Sequence, residues 1–193
     1  LIKDKDLKEQ ALYRLAWCHF NKEDAARAAV TFEKLLAEFP KTRFLAHAAF
    51  QAGEARMQLK EHPAARTHFA KAAALPNEKE VHELALLRLG ETCALTQQWP
   101  QAEQAYQALL KTYAQGEWAR RAQLGLGWAR ENQRKYAPAI EAYTTVVRGT
   151  QRDETAARCQ FQIGECLFAL NKHDEAIQAL VKVSVAYGYP QWS

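Results

Sequence analysis

The chain has 193 residues, 48% apolar and 25% charged, with a formal net charge of +4. This is an ordinary globular balance, only mildly basic, and far from the strong positive excess of a dedicated nucleic-acid binder. No run approaches the ~20 apolar residues needed to span a bilayer, and no signal peptide is visible.

In chain order, residues 1–8 match the tail of a repeating unit, with Leu7 standing where Phe44, Val81, Trp118 and Trp192 stand later. The Lys3–Lys8 stretch alternates in sign and reads as solvated surface. Apolar residues then fall at helical spacing, first Leu12, Leu15 and Ala16, then Ala28, Val30, Phe32 and Leu35. They predict two helices, at about 7–21 and 24–39. Alternation of period two is absent, so strands are not expected. Asn21, Asn132 and Asn171 lie in the turns between paired helices, where Asn ends or caps a helix. Pro63 and Pro100 fall in the first turn of second helices, where a missing N–H is harmless. Thr42, Asn77 and Asp153 are the expected N-caps of first helices. The last helix, with Ile177, Leu180, Val181 and Val183, has no following unit in this chain, so its outer face calls for another helix or a neighbour.

The pattern repeats without insertion or deletion. Gly53, Gly90, Gly127 and Gly164 are 37 residues apart, and Ala16 occupies the same place one step earlier. Twelve residues after each come Ala28, Ala65, Ala102, Ala139 and Ala176, and four further on Phe32, Phe69, Tyr106, Tyr143 and Leu180. A fixed period of this length marks an array of stacked supersecondary units. The units run 9–45, 46–82, 83–119, 120–156 and 157–193, after the 1–8 tail, as one continuous array. Both ends read as cut from a longer array, and their uncapped faces allow self-association. Counting from the first residue of each unit, the small residue is position 8, the alanine 20 and the aromatic 24. A glycine costs roughly 1 kcal/mol against alanine inside a helix. It is expected here because a side chain would hold two helices apart, with Ala-20 serving the same close contact and residue 24 filling the space beside it.

A search for chemistry returns little. Cys18, Cys93, Cys159 and Cys166 all lie among apolar positions of first helices and are expected as buried free thiols. Cys159 and Cys166 are seven residues apart, about 10 Å along a helix and too far for a disulfide. Unpaired thiols weigh against an oxidising compartment. No His-x-x-x-His, His-Glu-x-x-His or Cys-x-x-Cys occurs, so no metal is expected. Gly125-Leu126-Gly127 lies mid-helix without a preceding strand and fails as a dinucleotide loop. The two serines, Ser184 and Ser193, sit in no nucleophile elbow. No catalytic residues and no cofactor are expected.

Leu89-Gly90 with Ala102-x-x-x-Tyr106, Leu126-Gly127 with Ala139-x-x-x-Tyr143, and the ending Phe39-Pro40 carry a resemblance to the tetratricopeptide repeat (TPR). It covers the whole chain. The unit is three residues longer than the usual 34, its first Trp is mostly Leu or Ala, and the closing Pro is Ala114 in the third unit and Gly188 in the fifth. The resemblance implies an all-α, right-handed solenoid of five 37-residue helix-turn-helix units. It implies a non-catalytic scaffold that binds a protein or peptide in a concave groove lined by first helices. The longer unit and endings such as Leu35-Leu36-x-x-Phe39-Pro40 are similar to repeats of bacterial envelope proteins, the periplasmic Tol–Pal coordinator and the outer-membrane assembly lipoprotein; many cytoplasmic arrays read alike.

Family members face the groove with positions 2, 5, 6, 9, 12 and 13. Carried over, the partner-binding residues are Tyr13, Trp17, Phe20, Phe50, Glu54, Arg88, Glu91, Arg121, Trp128, Arg158, Phe161 and Glu165. Aromatic and Arg side chains are the types enriched at binding hot spots. The competing reading is that positions 5 and 12, including Phe50, Phe161 and Phe168, only pack adjacent first helices. Trp17 and Trp128 share position 9 with Glu in the other units, so that slot is not uniformly buried. The Lys and Asn residues that clamp a C-terminal carboxylate in some relatives are not in place. The alternative function is nucleic-acid binding by a helical-repeat surface, stacking bases between aromatics. It lacks a positive excess, because Arg14, Arg88, Arg121 and Arg158 are matched by Glu54, Glu91, Glu131 and Glu165.

Overall fold

A computed structural model describes residues 4–149 and 152–187. These fall into two compact units, Leu1–Thr96 and Gln97–Ser193. Ten α-helices and no strands occur among the described residues.

The first unit holds α1 (Lys5–Asn21), α2 (Ala25–Glu38), α3 (Leu45–Gln58), α4 (His62–Ala73) and α5 (Lys79–Leu95). Each packs on the next in the chain, and α3 also touches α5. The predicted helix at 24–39 starts one residue later, because Asp24 stands outside it as the N-cap and accepts a hydrogen bond from the Arg27 N–H. The core is built from Phe32, Leu35 and Phe69, set among the fully buried Ala16, Ala28, Ala48 and Ala52. The second unit holds α6 (Trp99–Thr112), α7 (Ala119–Asn132), α8 (Tyr136–Val147), α9 (Glu154–Ala169) and α10 (His173–Tyr187), again packed consecutively. Tyr143, Val146, Cys159, Ile163 and Cys166 form its core.

The position-8 glycines are seats for the residue at position 24. A Cβ on Gly53 would lie 2.6 Å from the Phe69 ring, and one on Gly127 2.4 Å from the Tyr143 ring. On Gly164 it would meet the Leu180 side chain at 2.5 Å, with the Ala176 backbone only at 3.6 Å. Residue 24, rather than Ala-20, is thus what forbids a side chain there. Gly125 is a second such seat: its Cβ would lie 2.4 Å from Tyr106.

The turn inside each repeat has one conformation. Glu23, Lys60, Gln97, Arg134 and Asn171 all have φ near 60° and all stand at position 15. The next N–H reaches back to the carbonyl five residues earlier, as in Asp24 to His19, Glu61 to Arg56, Lys135 to Arg130 and Lys172 to Leu167. Asn21 and Asn132 are the last helical residues of α1 and α7. Only Asn171 occupies the left-handed position itself.

The expected first-helix caps divide. Asp153 caps α9 through the Ala156 N–H. Thr42 sits two residues before the cap position, where its hydroxyl accepts from the Phe44 N–H and donates to Glu9. Asn77 is not the cap of α5; Glu78 is, without a side-chain bond. The Glu9–Thr42 link has a counterpart in the second unit, Arg120 holding both Asp153 oxygens at 2.7 and 2.5 Å. Both join position 1 to position 34.

Cys93, Cys159 and Cys166 are buried as expected, and Cys18 is not. Burial pushes the Cys159 and Cys166 thiols up to about 12, which keeps them protonated and unreactive. Cys18 shares their helical pattern, but no described element packs over it.

Candidate functional site

On α1, Tyr13, Trp17 and Phe20 recur at helical spacing on one face, and the fold brings them together. Tyr13 stacks on Phe44 with ring centres 4.1 Å apart and planes 7° from parallel. Trp17 meets Phe20 edge-on at 5.7 Å and Phe32 at 6.2 Å. Phe32 and Phe44 hold the trio from beneath, while Tyr13, Trp17 and Phe20 each stay half-buried. Such rings keep accessible apolar surface at little cost in side-chain entropy, the property of a contact anchor.

Phe50 belongs to the core, only 7% exposed and packed on Phe69 at 5.6 Å. One turn on, Glu54 and Glu91 converge on Arg88. The guanidinium donates from Nη2 to Glu54 at 3.0 Å and from Nη1 to Glu91 at 3.0 Å, and its Nε lies 2.9 Å from the other Glu54 oxygen. Burial works against the charged guanidinium, but the two carboxylates outweigh it and Arg88 is held more firmly protonated. Three residues expected to read a partner therefore read one another.

In the second unit, half-buried Trp128 packs edge-on against Trp99 of α6 at 5.1 Å. Trp99 escaped the sequence reading; its signal was the Trp99-Pro100 pair opening a second helix. Arg121 is exposed and lines an open cleft of about 640 Å³ with Glu117, Trp118, Arg120 and Leu124. Arg158 and Glu165 are exposed, and Phe161 is half-buried. Phe168 does not pack between first helices: it is 62% exposed, edge-on to His173 at 5.2 Å, because no described helix lies over it. Below these, the buried Tyr143 hydroxyl donates to Glu131 at 2.7 Å. Burial raises the Glu131 pKa and the Glu165 charge adds to the rise, against the pull of Tyr143 and Arg158.

Among the described residues no three His, Cys, Asp or Glu side chains gather as metal ligands. No described helix is long and apolar enough to cross a membrane. The surface can offer shape, aromatic contact and paired charge.

Models of the tetratricopeptide repeat match residues 10–42, 96–156 and 124–189. No curated protein matches the sequence. Among solved structures, the MamA protein is similar at 20% identity and TM-score 0.74, over 91% of this chain and 90% of that one. MamA 41-end from Desulfovibrio magneticus RS-1 is similar at 19% identity and TM-score 0.72, over 91% and 93%. A Podosopora anserina protein of nearly identical TPR-like repeats is similar at 15% identity and TM-score 0.67, over 92% and 94%. At these identities the likeness shows the fold, an all-α helical-repeat solenoid.

Proposed function

Because this chain belongs to the tetratricopeptide-repeat family, whose members are generally non-catalytic protein–protein interaction scaffolds, we propose that its first helices hold a protein or peptide partner through aromatic anchors. The proposed repeats run 9–45, 46–82, 83–119, 120–156 and 157–193. One observation carries the reading. On α1 the aromatic trio is only half-covered, whereas Glu54 and Glu91, which take the place of Trp17 on α3 and α5, are both engaged with Arg88. An anionic ligand would have to pull Arg88 away from two carboxylates, at the cost of leaving them unpaired and partly buried. A partner's apolar side chain on Trp17 meets no such penalty. The same pairing disfavours a phosphate backbone, which needs cations in excess. The repeat endings similar to those of envelope proteins make a bacterial envelope assembly the finer form of this reading.

A pull-down with the intact protein, repeated with Trp17→Ala, Trp128→Ala and the double variant, tests it. Partners that bind wild type and are lost from the double variant support the groove. Partners retained undiminished place the site elsewhere. Binding of nucleic acid that weakens steeply with salt would replace the reading.

A further inference from the structure

Glu33 on α2 and His68 on α4 stand at positions 25 and 23 of successive repeats, on the two second helices that flank α3. The His68 Nε2 lies 2.9 Å from a Glu33 oxygen, so these side chains cross the gap between the helices. In the second unit the same places, on α6 and α8, hold Gln107 and Ala142. A methyl group cannot make that crossing. Two adjoining clefts of about 310 and 380 Å³ lie there instead, sharing Leu110, Gln123 and Thr145. Gln123 of α7 belongs to their floor. Its counterpart at position 4 of α9, Gln160, is buried and donates to the Ala179 carbonyl of α10. Gln123 is only half-buried, and its side-chain amide bonds no described residue.

The walls of this groove carry opposite charges. Lys111 on α6 and Glu141 on α8 line the same cleft, and both are exposed. Neither forms an ion pair with a described residue. Arg130 is different: it is held by Glu103 of α6 and by the Pro138 carbonyl of α8, so it ties both walls to α7.

We propose that the groove between α6 and α8 takes an extended segment of a partner polypeptide that carries an acidic and a basic residue side by side. Its floor runs from Ala119 to Arg130, about 17 Å of helix and the length of about five extended residues. The Gln123 amide offers both N–H donors and a carbonyl acceptor. A helical ligand uses its main-chain groups on itself, whereas an extended one leaves N–H and C=O groups open to that amide. Neighbouring side chains of an extended chain point to opposite sides. One therefore meets Lys111 and the next meets Glu141, which fits an acid–base pair and opposes two like charges. This groove is separate from the aromatic anchors, because Gln123 and Trp128 stand about 140° apart around α7.

Fluorescence anisotropy of the intact protein with labelled heptapeptides tests this. The probes are rich in Thr and Val, capped at both ends, and carry Glu-Lys, Lys-Glu, Lys-Lys, Glu-Glu or Ala-Ala at the centre. The two mixed-charge probes should bind about tenfold more tightly than the rest. Lys111→Glu should turn the preference to Lys-Lys and Glu141→Lys to Glu-Glu, each with an unchanged helical circular dichroism spectrum. The double exchange should restore the preference for mixed charge. Gln107→Glu with Ala142→His, which writes the bridge of the first unit into the second, should abolish binding. Gln123→Leu should weaken all five probes alike, and Trp128→Ala should change nothing. Wild type without a preference for mixed charge overturns the proposal, as does a double exchange that fails to restore it, or binding that survives the written-in bridge. Equal binding by an Ala-rich helical peptide with the same central pair also overturns it. So does binding lost on Trp128→Ala, which moves the contact to the aromatic face.

Discussion

Arg56 in the first unit and Arg130 in the second occupy the same place in the repeat, two periods apart, and each is clasped by a carboxylate of the preceding helix. The clasps are not copies. Arg56 grips Glu33 through Nε and Nη2 at 2.8 and 2.5 Å and reaches Glu61 with Nη1, while His68 approaches Glu33 at 2.9 Å. Arg130 donates from Nε to Glu103 at 3.0 Å, and Gln133 and Lys135 share the other oxygen at 3.0 and 2.8 Å. Position 16 has therefore changed sign, from Glu61 to Lys135, and the gripped carboxylate has moved one turn along its helix. Burial pushes the Glu33 carboxyl up, but Arg56 and His68 outweigh it and its pKa falls below the usual range. Glu103 falls likewise, burial being outweighed by Lys135, Arg130 and Gln133. The repeat fixes where the helices lie; within that frame a buried charge needs only some partner in reach.

The largest expected effect asks whether the two units share one packing rule. Gly53→Leu and Gly127→Leu should each lower stability by about 3 kcal/mol, the upper end of ordinary overpacking. Gly164→Leu should cost less, because the Leu180 side chain it meets can rotate away where a ring cannot. Urea unfolding of the three variants checks the order; equal losses at all three would end the argument that residue 24 sets the seat.

Next come the clasps. Arg56→Ala and Arg130→Ala should each cost about 1–3 kcal/mol, the range for bonds to charged groups left unmade. Arg56→Ala should cost more, since Glu33 keeps only His68 whereas Glu103 keeps Lys135 and Gln133. The difference in unfolding midpoints measures how far Lys135 stands in for the arginine. A larger loss for Arg130→Ala would show that the comparison of partners is mistaken.

The smallest effect comes from the left-handed turn. Lys60→Gly and Arg134→Gly should each raise stability by about 0.5–1 kcal/mol, as the strain of a side chain at positive φ exceeds the entropy a glycine adds to the unfolded chain. Asn171→Gly should gain less, because Asn tolerates that conformation. Thermal melts of the three variants decide it, and a gain at Asn171 matching the others would remove the strain argument.

The glycine ladder, the helix pairs and the position-24 ring were legible because each repeats at a fixed step and answers to local periodicity. Position 15 was not. Glu23, Lys60, Gln97 and Arg134 carry no turn signature, and their shared φ follows from the helix-ending hydrogen bonds rather than from residue type. Cys18 shows why burial is not a helical pattern alone: its period matches Cys166, but only Cys166 has a helix packed over it. Within the candidate site, the aromatic face of α1 could be read from spacing. The trio of Glu54, Arg88 and Glu91 could not, because Arg88 stands 34 residues beyond Glu54.

By itself the sequence determined the 37-residue period, the all-helical class and the small-against-large ladder of the core, since these rest on backbone preference and side-chain volume repeated in place. Tertiary structure alone decided which charges are spent on one another, which thiol meets solvent and which glycine seats a ring. Those outcomes depend on side chains from different helices arriving at one point, a distance no spacing along the chain records.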